Sequence, residues 1–204
     1  MSWWFSPWYD GFMQRSEEET LRSWRASLLS PLEGEVLDLG AGTGANVPFW
    51  PAAVEHVVAA EPDPGMARKL RERARVDRRI EVVTSAAERM PFADEAFDVV
   101  VSTLVLCTVD DLERSVAEIR RVLRPGGKLV FLEHVAAENR VLRQVAQRVA
   151  EPFWTPIAGG CHLTRRTHVA IERAGFTIDS LTRESMRGAL PVVRETVRGV
   201  ARKP

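Results

Sequence analysis

The chain of 204 residues carries 28 basic and 28 acidic side chains, with 45% apolar and 27% charged residues. These values are typical of a globular protein with one sizeable core, and the balanced charge argues against a nucleic-acid partner. The two cysteines, Cys107 and Cys161, lie outside any CxxC spacing, so they indicate neither a disulfide framework nor a zinc site. The absence of a signal peptide and of an apolar run of ~20 residues predicts a cytoplasmic protein with no transmembrane segment. We expect one domain, residues 1–204, as a monomer or homodimer.

The first 30 residues begin with an aromatic segment that carries one charge, Asp10. Its apolar members are Trp3, Trp4, Phe5, Trp8, Tyr9, Phe12 and Met13. The acidic run at residues 17–19, or Thr20, then predicts the start of a helix that reaches about Leu29. Residues 1–30 are therefore interpreted as an aromatic flap and a helix. They could pack over the domain, form a lid over an active site, or contact a membrane peripherally, since Trp and Tyr favour the headgroup region.

Between residues 36 and 132, apolar runs alternate with helical patterns. Strands are predicted at residues 36–39, 56–61, 80–83, 97–102 and 128–132, and helices at 64–75 and 112–123. Strands that alternate with helices at this spacing predict a parallel sheet with right-handed crossovers. After residue 132 the regular alternation of strands and helices ends. We expect a helix near 138–150, an irregular segment at 152–164, a helix near 165–174, and antiparallel extended runs at 176–182 and 192–201.

The first predicted strand ends in a glycine-rich turn that follows the pattern G-x-G-x-x-A from Gly40. That pattern alone is compatible with a dinucleotide site. Asp38, however, stands where a NAD site usually has an apolar residue, and a third glycine follows at Gly44. Glu61 ends the second strand 21 positions after Gly40, where a carboxylate can accept both hydroxyls of a ribose. These features favour a nucleoside-bearing cofactor with a positive charge.

Five motifs now define a resemblance: residues 38–44 (DLGAGTG), 61–62 (EP), 88–92 (ERMPF), 97–100 (FDVV) and 123–127 (LRPGG). In this order they resemble class I S-adenosylmethionine (SAM)-dependent methyltransferases. Residues 44–46, 103–107, 133–134 and 160–165 resemble the thiol-methyltransferase-like group, with more distant similarity to ubiquinone/menaquinone-biosynthesis methyltransferases. The resemblance implies a Rossmann-like α/β fold. Its seven-stranded sheet would have the order 3-2-1-4-5-7-6, with strand seven antiparallel and helices on both faces.

The resemblance also implies that SAM binds at the carboxyl ends of strands one, two and four. The residues implied to bind it are Asp38, Gly40, Ala41, Gly42, Gly44, Glu61, Pro62, Met66, Ala86, Ala87, Glu88, Thr103 and Leu104. Glu61 would bind the ribose diol, and Asp38 would face the ammonium group directly or through water. The chain departs from many relatives at Ala86, where they carry an acidic residue, so we expect backbone groups and Glu88 to contact adenine instead.

Methyl transfer from a sulfonium depends mainly on positioning, and a general base is needed only when the acceptor arrives protonated. His134 is the first candidate base, with Glu133 beside it, and His162 is a weaker one. Cys107 and Cys161 are expected to be small wall residues. No residue is assigned a catalytic role, and no metal is expected.

The expected acceptor is a small or lipophilic molecule, with a thiol favoured and a hydroxyl or amine next. Two other functions stay open at this point: a nicotinamide-dependent oxidoreductase and a non-catalytic SAM-binding protein. Binding of SAM rather than NAD would separate the first from a methyltransferase, and turnover with an acceptor would separate the second.

Overall fold

The computed structural model describes residues 9–138 and 140–204. Its helices are α1 (Tyr9–Ser16), α2 (Arg22–Leu29), α3 (Pro64–Ala74), α4 (Leu112–Val122), α5 (Val141–Ile157) and α6 (Thr167–Arg173). Its strands are β1 (Gly34–Leu39), β2 (Val54–Ala60), β3 (Ile80–Val83), β4 (Phe97–Thr103), β5 (Leu123–His134), β6 (Thr177–Ser185) and β7 (Glu195–Arg202). A π-helical turn (Glu17–Leu21) joins α1 to α2, and 3-10 turns occur at Val47–Phe49 and Pro191–Val193.

The seven strands form one sheet in the order β3-β2-β1-β4-β5-β7-β6. The first five strands pair in parallel, while β7 runs antiparallel to both β5 and β6. The predicted sheet order is therefore confirmed. Because β1 and β4 are neighbours whose crossovers leave in opposite directions, their carboxyl ends border the crevice in which such sheets bind ligands.

Alternate side chains of the buried strands face two helical layers. Leu37 and Val100 pack with the cluster that includes α4 and α6, whereas Val36 and Val99 pack with the cluster that includes Leu29 of α2. The central strands thus bury both faces, which explains their almost uninterrupted apolar sequences. Asp63 caps α3 by accepting a hydrogen bond from the backbone N–H of Met66 at 2.9 Å, as its place before Pro64 predicts.

Two helix predictions were wrong. The N-terminal helical segment begins at Tyr9 rather than at the acidic run, because Met13 packs with Leu21 and Trp24 and extends the buried stripe toward the N-terminus. The aromatic residues of 1–8 lie outside the described residues.

The helix expected near 138–150 continues as α5 to Ile157, through Pro152 and Pro156. Both prolines are exposed, so the backbone carbonyls that lose an N–H partner can turn to water. The helix persists there because Ala150 and Trp154 pack against the cluster that contains Leu132. The irregular segment is therefore shorter than predicted.

Candidate active site

A cavity lies at the carboxyl ends of β1, β2 and β4, and we refer to it as the first cavity. Its lining residues are Tyr9, Gly40, Gly42, Glu61, Pro62, Met66, Ser85, Ala86, Ala87, Glu88, Thr103, Leu104, Val105, Thr108, Val109, Asp110, Ala158 and Gly159. Most of the residues that the sequence implied for SAM therefore line one cavity. Asp38, Ala41 and Gly44 are not among them.

The glycine turn owes its small residues partly to packing inside the protein. A Cβ at Gly40 would lie 2.6 Å from the Val105 side chain, and one at Gly44 would lie 3.1 Å from Leu70 of α3. At Gly42 the nearest such atom is 3.9 Å away, so this glycine is the one whose open side faces the first cavity. Ala41 donates its backbone N–H to Ala60 and packs with Leu70, which fastens the turn to β2 and α3.

Glu61 connects the end of β2 to this turn. One carboxylate oxygen accepts a hydrogen bond from the Gly42 N–H at 2.8 Å, and the other accepts from the Asp63 N–H at 2.8 Å. Burial raises the pKa of the Glu61 carboxyl. Each carboxylate oxygen has a second lone pair, so Glu61 can hold the turn and still accept hydrogen bonds from a ligand.

Asp38 lies behind the turn rather than on the cavity wall. Its carboxylate accepts from the Asn46 amide at 2.7 Å, and Asn46 in turn accepts from the Arg25 guanidinium at 2.7 Å. Arg25 also pairs with Glu17 at 2.9 Å. Burial raises the pKa of Asp38 to about 7, against the opposing effects of Asn46 and Arg25. In this arrangement Asp38 braces the glycine turn against the N-terminal helices, a role that its sequence position did not indicate.

Leu104 directly follows the last residue of β4 and lines the first cavity. Its φ of 62° is in the left-handed region, which leucine rarely adopts. The Leu104 N–H donates to the Leu132 carbonyl at 2.7 Å, which holds this conformation. The neighbouring Thr103 hydroxyl accepts from Arg25 at 2.8 Å, so the end of β4 is fixed on both sides.

Glu133 organises the loop that follows Leu104. Its carboxylate accepts hydrogen bonds from the Ser102 hydroxyl at 2.7 Å and from three successive backbone N–H groups, those of residues 105–107, at 3.1–3.2 Å. The side chain is fully buried, and burial raises the pKa of its carboxyl. Glu133 lines neither this cavity nor the next, so its geometry is that of an anchor for the loop rather than of a base.

A second, smaller cavity adjoins the first beneath this loop. Its lining residues are Tyr9, Phe12, Met13, Leu104, Cys107, Thr108, His134, Trp154, Ala158 and Cys161. Both cavities are lined by Tyr9, Leu104, Thr108 and Ala158. The two cavities therefore adjoin at these four residues.

Cys107, His134 and Cys161 come together in the wall of the second cavity, and we call them the Cys–His–Cys cluster. One side-chain ligand atom from each lies within 4.8 Å of the others, and all three residues are buried. The Cys161 sulfur is 3.5 Å from His134 Nδ1. Hydrogen bonding by Cys107, with His134 adding to it, lowers the pKa of the Cys161 thiol, while the same contact and burial raise the pKa of Cys107.

His162 lies outside both cavities. Its Nδ1 is 3.2 Å from the Glu151 carboxylate, and its ring is half-buried. Its backbone N–H instead donates to the Cys107 carbonyl at 2.8 Å, and Arg165 donates to the carbonyls of Leu106 and Val109. The segment around residues 160–165 thus clamps the loop after β4, and it is Cys161 rather than His162 that faces the cavity.

Comparison with known proteins agrees with this geometry. Residues 37–131 match the methyltransferase domain family. Thiol S-methyltransferase TMT1A of Homo sapiens is 37% identical over 191 residues, which cover 86% of this chain and 78% of that protein. Thiol S-methyltransferase TMT1B of Rattus norvegicus is 40% identical over 149 residues, 71% of this chain and 61% of that protein. The chain belongs to the class I SAM-dependent methyltransferase family.

A solved SAM-dependent methyltransferase from Thermotoga maritima superimposes with a TM-score of 0.72 at 22% identity, over 98% of each chain. At that identity the likeness supports the fold of the methyltransferase and says nothing of its acceptor.

Sequence reasoning missed the contribution of the loop at residues 105–110 and of Ala158 and Gly159 to the first cavity. Residues 105–107 and 109 are held beside the cavity by hydrogen bonds with Glu133 and Arg165, which are distant in sequence.

Helix α1 covers one side of the methyltransferase site. Asp10 accepts from the Thr43 hydroxyl of the glycine turn at 2.6 Å and pairs with Arg73 at 2.9 Å and Lys69 at 3.3 Å. Burial opposes ionisation of Asp10, but the hydrogen bond from Thr43 and the charges of Arg73 and Lys69 lower its pKa. These contacts bring Tyr9 over both cavities.

Proposed function

We propose that the first cavity binds SAM and that the methyltransferase transfers its methyl group to a thiol on a small, lipophilic acceptor held in the second cavity. The observation that carries the proposal is the adjacency of the two cavities. They share Leu104 and Thr108 as a common wall, and the second ends in the Cys–His–Cys cluster. The names of the relatives TMT1A and TMT1B support a thiol as the acceptor.

The residues of the first cavity fit SAM. Glu61 offers two buried carboxylate oxygens to the ribose hydroxyls, and Gly42 leaves open space beside them. Met66 and Val109 supply apolar walls, while Ala86 and Ala87 leave backbone groups near an adenine ring. SAM supplies a methyl group on a positively charged sulfur, so the protein needs to orient the acceptor and exclude water rather than activate the donor.

The second cavity favours a lipophilic acceptor because Phe12, Met13 and Trp154 form much of its wall. A thiol is a weak nucleophile until it loses its proton, so the site has to remove or stabilise that proton. Among the described residues that line this cavity, the groups able to do so belong to the Cys–His–Cys cluster and to Tyr9, whose pKa burial raises. His134 was the first candidate base in the sequence, and it lines this cavity, unlike Glu133 and His162.

The test is a methyl-transfer assay with three acceptors of matched size, an alkyl thiol, a phenol and an amine, which follows release of S-adenosylhomocysteine. Calorimetric titration with SAM and with NAD is run beside it. We expect SAM alone to bind and the thiol to be methylated fastest. Binding of SAM without turnover of any acceptor would favour the non-catalytic alternative, and preference for the phenol or amine would refute the thiol assignment.

We further infer that the outer face of α5 contacts an anionic membrane surface. Exposed apolar side chains recur about every four residues along it: Val141, Leu142, Val145, Val149, Phe153 and Ile157. Arg140 and Arg148 are exposed beside them, as in helices that lie in the headgroup region. No helix in residues 9–138 or 140–204 is long and apolar enough to cross a bilayer, so this contact would be peripheral.

Sedimentation with vesicles that contain phosphatidylserine tests the contact. Val149→Ser with Phe153→Ser should reduce the bound fraction several-fold, because both side chains are about two-thirds exposed or more. Val76→Ser is the matched control, since Val76 is 84% exposed but lies far along the chain from α5. Equal binding of both variants, or an α5 face that instead joins two copies of the chain in light scattering, would refute the membrane contact.

A further inference from the structure

We propose that Cys107, His134 and Cys161 form a zinc site with one coordination position open to the second cavity, and that this position binds the acceptor thiol. The part of this inference that concerns the acceptor rests on the proposed function. The zinc site itself rests on the geometry of the Cys–His–Cys cluster alone.

The three side chains have the composition that zinc requires, and one pair of them has the separation of two zinc ligands. Two cysteine sulfurs and one imidazole nitrogen are soft and borderline ligands that bind zinc in preference to magnesium or calcium. In a tetrahedral site with the usual Zn–S and Zn–N bond lengths, a sulfur and a nitrogen ligand are about 3.5 Å apart. The Cys161 sulfur lies 3.5 Å from His134 Nδ1, and all three ligand atoms lie within 4.8 Å of one another.

Separate parts of the chain hold the ligands in these positions. Cys107 follows β4 and its backbone N–H is bound by Glu133, the residue before His134 at the end of β5. The neighbour of Cys161, His162, donates its backbone N–H to the Cys107 carbonyl at 2.8 Å, which ties the third ligand to the first. Such fixed ligands reduce the ordering that metal binding would otherwise require.

Three protein ligands leave the fourth coordination position of a tetrahedral zinc ion open to another group. Structural zinc sites usually have four protein ligands, whereas catalytic sites have three and an open position. The described residues place three such ligands together here, and all three line the second cavity. The open position would therefore face the cavity that adjoins the SAM site.

A thiol that enters this position would lose its proton at neutral pH, because coordination to zinc deprotonates it. Its S–H bond breaks as sulfur binds the metal, and the proton leaves to solvent. The thiolate lone pair then forms the new bond to the methyl carbon. The bond from that carbon to the sulfonium sulfur breaks, its electron pair stays on that sulfur, and neutral S-adenosylhomocysteine results. The product is an uncharged thioether, which is a weaker zinc ligand and can dissociate.

Metal binding is tested without any acceptor. The purified chain is analysed for zinc by mass spectrometry, and the metal-free chain is titrated with Co²⁺. We expect about one zinc per chain and a thiolate-to-cobalt charge-transfer band. Cys107→Ser, His134→Asn and Cys161→Ser should each weaken binding by at least about 100-fold, since loss even of outer-shell partners costs 10- to 100-fold.

His162→Asn is the matched control, because His162 lies one residue from a ligand yet outside both cavities. It should retain zinc and the cobalt band. Circular dichroism and SAM titration show whether each variant is folded. No thiolate band in the folded parent chain, a Cys107–Cys161 disulfide in its place, or a band that survives in all three ligand variants would overturn the zinc site.

Turnover then separates this inference from the proposed function. Chelation should lower thiol methylation at least tenfold, with recovery on addition of zinc, and should leave SAM binding unchanged. Full thiol turnover by the metal-free chain would refute the binding of the acceptor thiol to zinc and leave the proposed acceptor standing. Zinc binding without methylation of any thiol would support the metal site and refute the acceptor.

Discussion

Glu61 is the residue whose replacement tests the SAM site most directly. Glu61→Ala would remove the charged acceptor that we propose for the ribose, a loss of roughly 1–3 kcal/mol, which corresponds to a Kd for SAM about 5- to 150-fold higher. It also leaves the Gly42 and Asp63 N–H groups without an acceptor. At roughly 1–3 kcal/mol for each buried donor, the unfolding free energy would fall by about 2–6 kcal/mol out of a typical 5–15.

The two effects are measured separately. Urea unfolding gives the stability cost, and calorimetric titration with SAM at a temperature where the variant is fully folded gives the binding cost. Glu81→Ala is the control, because Glu81 is an exposed carboxylate on β3 that lines neither cavity. It should change the Kd by less than twofold. A folded Glu61→Ala variant whose Kd also stays within twofold would refute the ribose assignment.

Three further replacements test the supports of the site. Glu133→Gln places an amide N–H group opposite one of the backbone N–H groups that now donate to the Glu133 carboxylate. The free energy of unfolding in urea should therefore fall by about 1–3 kcal/mol. An unchanged unfolding midpoint would contradict the anchoring role. For Asp38, a pKa raised to about 7 means that the folded protein holds this proton more tightly than the unfolded chain, so its contribution to stability falls as pH rises from about 4 to about 7. The Asp38→Asn variant should therefore be more stable than the parent protein at about pH 8 but not at about pH 4. An equal difference in unfolding free energy between variant and parent at both pH values would refute this reasoning. Asp10→Asn weakens the contacts of α1 with Arg73 and Lys69, so if residues 1–30 form a lid, stopped-flow dissociation of SAM should be several-fold faster, and an unchanged rate would argue against a lid.

The strands of residues 36–132 could be predicted because the information is local, whereas their order in the sheet came from the resemblance to class I methyltransferases. Each strand in residues 36–132 is a short apolar run beside a turn or cap, such as the glycine turn after Leu39 or Asp63 before α3. The antiparallel pair β6–β7 could be predicted because two extended runs follow each other near the C-terminus, after the alternation of strands and helices has ended. The path of α5 through Pro152 and Pro156 could not be predicted, because tertiary packing of Trp154 overrides the local preference of proline to end a helix.

Ten of the thirteen residues that the motifs implied for SAM line the first cavity, but the position of Asp38 could not be predicted. A carboxylate before the turn predicts a partner for a cationic ligand, yet the fold supplies Asn46 as its partner and links it to Arg25, which is distant in sequence. Likewise, Cys107, His134 and Cys161 are separated by 27 residues each along the chain and match no spacing rule. Only the pairing of β4 with β5, and the clamp from residues 160–165, brings them together.

The loop after β4 links the two cavities mechanically as well as by proximity. Glu133 holds residues 105–107 through their N–H groups, and Arg165 holds the carbonyls of Leu106 and Val109. The same loop turns Val105 toward Gly40 and Cys107 toward His134. A displacement of this loop would therefore disturb the glycine turn and the Cys–His–Cys cluster together. Because an in-line displacement depends on the alignment of donor and acceptor, the buried carboxylate of Glu133 would, under the proposed function, serve that alignment without touching either molecule.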